Sequence, residues 1–123
     1  MRRALILAAF APLLMAQGIP RANCGFGEGL TQLRDVEREA GKPVPGLIEG
    51  RARGERAVAS LNGAAATFRG CGCARLAELT AEASTVAASA PSESSAARLR
   101  AVFAQIRFRA QLARELSERV SCQ

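Results

Sequence analysis

A chain of 123 residues is long enough for one core and excludes a second domain. Its 17 Lys+Arg against 11 Asp+Glu give a formal charge of +6, a mild surplus that favours anionic surfaces without specifying nucleic acid. With no Trp or Tyr it lacks a stacking platform for single strands. With no His it excludes Ser-His-Asp and Cys-His catalysis, ordinary haem attachment and most catalytic zinc sites.

The first segment reads positive, then apolar, then small and polar: Met1-Arg2-Arg3, then ALILAAFAPLLMA over 4–16, then QGIPRANC. That order is the layout of a secretory signal peptide spanning 1–16, cleaved after Ala16, with Gly18 the later alternative. A membrane anchor needs roughly 17 or more uncharged residues, and Pro12 interrupts this shorter run. A lipid-anchored form would need a small residue before Cys24 and an aliphatic one near position 21, where Asn23 and Arg21 stand. Removing 1–16 takes two arginines and no acid, lowering the charge from +6 to +4. Almost all the positive charge is arginine, which in an alanine-rich chain also fits a genomic composition bias. Residues 17–27 read as a flexible lead-in, and 28–122 as the helical domain.

The first helix places Leu30, Leu33, Val36 and Ala40 on one face and stops at Gly41 and Pro43. The linker GKPVPG turns the chain into a second helix from about Leu47 to Arg69. Leu47, Gly54, Val58, Leu61, Ala65 and Phe68 form its stripe, with Arg51 intruding at one stripe position. Gly50, Gly54 and Gly63 each lower its helicity by about 1 kcal/mol against Ala, a cost that close approach of a neighbour could offset. A third helix starts after Cys73 with Leu76, Leu79, Ala83, Val86 and Ala90 as its stripe, and SAPSESS breaks it. The fourth and longest runs from about Ala96 to Val120, with Leu99, Val102, Phe103, Ile106, Ala110, Ala113, Leu116 and Val120 in register. The expected fold is all-α, a small antiparallel four-helix bundle in up-down-up-down order with a thin, alanine-rich core.

That order brings Cys24, the pair Cys71/Cys73 and Cys122 to one end. Four cysteines allow three pairings, and joining Cys71 to Cys73 would close a tiny strained ring. This leaves Cys24 with one of the pair and Cys122 with the other. Each such loop of roughly 50 residues is worth around 4 kcal/mol in the chain-entropy model. Helix four, at about 37 Å, exceeds helix three at roughly 23 Å, so Cys122 is expected to overshoot the turn unless the last turn unwinds. Phe26 and Phe68 lie close enough in sequence to Cys24 and Cys71 to form an aromatic cluster over the bridges. The rival readings are a soft-metal site for Cu or Zn at Cys71 and Cys73, or an exchange-prone Cys71–Cys73 disulfide. Neither has support from C-x-x-C spacing or a βαβ pattern.

Glu37/Glu39 and Glu115/Glu118 are acid–base candidates on paper, but they sit among arginines that make a solvated, ion-paired face the simpler reading. CGFGEG lacks the preceding strand and following Lys-Ser/Thr of a phosphate loop. One feature exceeds a plain bundle. Phe108 and Leu112 lie off the main stripe of helix four, flanked by Arg107, Arg109 and Arg119. They either widen the buried face or form an exposed apolar patch with a basic rim, and Arg109 must snorkel or find a carboxylate. The expected function is therefore an exported, periplasmic or secreted, non-enzymatic binding or structural module. It would need no cofactor, keep no transmembrane segment, and contact another protein or an anionic envelope surface.

Overall fold

The computed structural model describes residues 21–120 and Cys122. The expected signal peptide and its cleavage point lie outside them. The described residues form four α-helices and no strand: α1 (Phe26–Ala40), α2 (Leu47–Gly70), α3 (Ala74–Ala87) and α4 (Ala96–Val120), with a one-turn 3-10 helix at Ala90–Ser92. Phe26 and Gly27, expected in the lead-in, belong to the first turn of α1. Gly25 adopts φ 83 as its N-cap, and its carbonyl accepts the Gly29 N–H at 3.0 Å.

Leu33, Leu61, Phe68, Leu76, Leu99, Phe103 and Ile106 are buried at the centre. Each such side chain contributes about 1.5–3 kcal/mol by leaving water. Alanines at 64, 65, 77, 83, 87, 110 and 113 fill the spaces between them, so the helices can approach closely. α2 packs on α1 and α3, and α4 packs on α3 and α1, which closes the ring. Arg53 on α2 ties down the end of α1: Nη1 donates to the Lys42 carbonyl at 3.1 Å, and its guanidinium lies 5.6 Å from the centre of the Phe103 ring. Arg51 also serves the fold, donating Nε and Nη2 to the Glu93 carbonyl at 3.0 and 2.8 Å.

The buried face of α3 is rotated from the expected stripe. Leu76 and Ala83 are buried as expected, but they are joined by Ala77, Thr80, Ser84 and Ala87, while Leu79 and Val86 are only partly covered. The small residues are the ones that fit where α3 meets both α2 and α4. Their hydroxyls are satisfied there, Thr80 donating to the Leu76 carbonyl at 2.8 Å and Ser84 to Asn62 Oδ1 at 2.7 Å.

Two disulfides, Cys24–Cys71 and Cys73–Cys122, join residues 47 and 49 apart in sequence. The turn carrying Cys71 and Cys73 explains the residue between them. The Cys73 N–H donates to the Phe68 carbonyl at 2.9 Å and the Gly72 N–H to the Arg69 carbonyl at 3.1 Å, with Gly72 at φ 82. This is the Schellman ending, which needs a left-handed residue where glycine alone carries no Cβ penalty. Cys73 then caps α3 at once, its carbonyl accepting the Ala77 N–H at 2.9 Å. One short turn thus ends a helix, starts the next and presents two sulfurs. Phe26 and Phe68 meet edge-on nearby, with ring centres 5.5 Å apart.

The expected overshoot of Cys122 does not occur. A Cβ on Gly50 would lie 2.7 Å from Leu99 Cδ1, so the first turns of α2 and α4 sit side by side. These two helices, of 24 and 25 residues, match in length, and Cys122 follows α4 as non-helical chain. The shorter α3 is extended by the Ala90–Ser92 turn, which packs against α2 at Gly54.

Candidate functional site

α4 exposes one side to solvent because its neighbours, α1 and α3, cover the other. Phe108 is 64% exposed and Leu112 42% exposed, against complete burial of Leu99, Ile106, Ala110 and Ala113 on the same helix. At 100° per residue, Ala97, Ala101, Ala104, Phe108 and Leu112 follow one outward line, and the three alanines are exposed as well. Ile48, 87% exposed in the first turn of α2, is the other large apolar side chain in solvent among the described residues; periodicity gave no sign of it, because it lies beside the α2 stripe.

Phe108 and Leu112 border two different clefts. Phe108 lines an open cleft of about 510 Å³ between the α1–α2 linker and α4, with Val44, Phe103 and Ala104 as apolar wall and Lys42, Arg100 and Arg107 as cations. Arg107 folds over the linker, where its guanidinium carbon comes within 3.3 Å of the space a Cβ on Gly41 would fill. Leu112 lines a smaller cleft shared with Glu115, Leu116 and Arg119 and, from α3, Arg75 and Leu79. Arg109 turns away from both. It bonds Glu82 of α3 at 3.2 Å, an ion pair that partly neutralises it. The expected set of Phe108, Leu112, Arg107, Arg109 and Arg119 is thus spread over two clefts and one ion pair.

The charge on α4 is uneven along the chain. Between Glu93 and Glu115 lie twenty-one residues with five arginines and no acid. Two of the five are matched across the bundle, Arg109 by Glu82 and Arg114 by Glu37 at 2.7 Å, and Arg114 also bonds Glu118 of its own helix at 3.0 Å. Hydrogen bonds from Arg114 to the Glu37 carboxylate, and then to Glu118, hold its pKa above the ordinary arginine value. Among the described residues, no carboxylate pairs with Arg98, Arg100 or Arg107. Lys42, the third cation of the Phe108 cleft, is occupied by Glu39, whose own pKa is lowered mainly by that hydrogen bond.

The carboxylates named as acid–base candidates are engaged by cations or an amide. Glu37 is held by Arg114 and Glu39 by Lys42, while Glu115 accepts from Gln111 at 2.8 Å. Cys71 and Cys73 would need free thiolates to hold Cu or Zn, and here each sulfur is in a disulfide with a different partner. Among the described residues no cluster of His, Cys, Asp and Glu could hold a metal, and no helix is long and apolar enough to cross a membrane. Comparison with protein-family models, curated proteins and solved structures found no match to this chain.

Proposed function

We propose that the chain is exported with loss of residues 1–16 and folds outside the cytoplasm as an up-down-up-down bundle stapled at one end. In this reading it is a non-enzymatic binding module that offers the outward side of α4 to a negatively charged partner. The observation that carries the reading is the exposure of Phe108 and Leu112 on a run holding five arginines and no acid. An apolar ridge with a basic border, left in solvent by its own fold, is the form expected of a contact surface. The two disulfides suit an oxidising compartment, where such bonds persist.

The reading is tested with Phe108→Ala combined with Leu112→Ala. The double variant should keep the helical circular dichroism of the parent while its retention on the envelope fraction of secreting cells falls. Loss of folding would place both side chains in the core, and unchanged retention would remove α4 from the contact.

A further inference from the structure

We infer that the partner of α4 is an anionic lipid surface, on which the helix lies flat. This inference rests on the binding reading above and names its partner. Three features carry it. The first is shape: the exposed side is the convex ridge of one helix, with alanine at 97, 101 and 104 continuing its crest, and the ridge fits a plane more readily than a groove. A stable protein contact covers about 800 Å² per partner, wider than one ridge whose flanks curve away.

The second is the order of chemistry around the helix. At 100° per residue from Phe108, Arg98 lies about 80° to one side, and Arg100 and Arg107 about 80–100° to the other. An apolar centre between two basic flanks is the cross-section of an interfacial helix: Phe108 and Leu112 enter the acyl boundary while the arginine stems reach sideways to phosphates. The third is electrostatic. These three arginines have no carboxylate partner among the described residues, whereas Arg109, at the same angle as Arg107 on the opposite flank, and Arg114 are paired within the bundle. Arg98, Arg100 and Arg107 are therefore the cations left free beside the ridge, with Arg98 on one flank and the other two opposite it.

Two partly exposed apolar side chains make a shallow anchor, so charge must supply much of the affinity. Each arginine near an anionic surface raises binding about fivefold. The test is co-sedimentation of the oxidised, secreted protein with vesicles of equal parts phosphatidylglycerol and phosphatidylcholine, and with phosphatidylcholine alone. Binding is expected to the first only, and to be lost at about 0.5 M sodium chloride. Arg100→Gln with Arg107→Gln should lower the partition about 25-fold. Arg34→Gln with Arg69→Gln, the same charge change on exposed residues of α1 and α2, should lower it less than about threefold. Phe108→Trp places the chain's first tryptophan on the ridge, and its emission should shift to the blue on the anionic vesicles. Absence of binding to those vesicles, equal losses from the two arginine pairs, or an unshifted tryptophan would overturn the inference. A protein cross-linked from this ridge in the absence of vesicle binding would likewise overturn it, yet leave the binding reading standing.

Discussion

Gly54 of α2 and Ala90 of the one-turn helix touch so closely that a Cβ on Gly54 would overlap the Ala90 Cβ, with the Ala87 carbonyl oxygen 3.7 Å away. The contact seats the chain between α3 and α4 on α2. It is also where a helix-weakening residue becomes the one that fits.

Gly54→Ala should therefore destabilise the protein. Helix propensity gains about 1 kcal/mol, but overpacking against backbone and Cβ costs about 1–3 kcal/mol. Gly63→Ala should do the opposite. Gly63 is exposed, and its Cβ would meet only the Gln32 side chain, 3.6 Å away, so a gain of about 0.4–1 kcal/mol is expected. Urea unfolding of both variants measures the two signs, and a stabilised Gly54→Ala would contradict the packing described.

In sequence both glycines weaken α2 equally; Gly54 falls on the apolar stripe and Gly63 off it, but how tightly the stripe position is packed depends on a neighbour from a distant part of the chain. The same limit explains the other gaps. The buried stripe of α4 from Leu99 to Ala113 was legible because large apolar side chains recur at three and four. The orientation of Phe108 and Leu112 was not, since a long helix between two neighbours can bury a wider arc than its main stripe. On α3 the hydrophobic scale favoured Leu79 and Val86 over Thr80 and Ser84, yet a hydroxyl that bonds the preceding turn is compact enough for a crowded interface. The common end of the cysteines followed from chain order; the choice between Cys71 and Cys73 for each terminus did not.

The disulfide pairing has its own test. Non-reducing peptide mapping should give Cys24 with Cys71 and Cys73 with Cys122. Cys24→Ser with Cys71→Ser should lower stability by about 2–5 kcal/mol, in line with the ~4 kcal/mol of chain entropy for such a loop. For a domain with a total of about 5–15 kcal/mol, that change should be plain in a thermal melt. Cross-pairing of Cys24 with Cys73, or a variant as heat-resistant as the parent, would contradict the clamp.

Glu39 offers a test of the linker beside Phe108. Its pKa lies below the ordinary 4.5, chiefly because the Lys42 ammonium donates to it. A carboxylate with a lowered folded-state pKa stabilises the fold above its unfolded value and loses that contribution as pH falls through the folded value. Lys42→Met should therefore move the Glu39 pKa up toward 4.5, as read by NMR titration of the side-chain carboxyl. The acid limb of the stability curve should flatten slightly. No movement on removing Lys42 would contradict the pairing.

The central claim is that the outward side of α4 meets a partner outside the cytoplasm. Site-specific photocross-linking in secreting cells tests it most directly, with the reactive residue at Ala104 on the ridge or at Ala59, exposed on α2. The account expects adducts to lipid or protein from position 104 and none above background from position 59. Equal yields from the two positions, or none from 104, would contradict it.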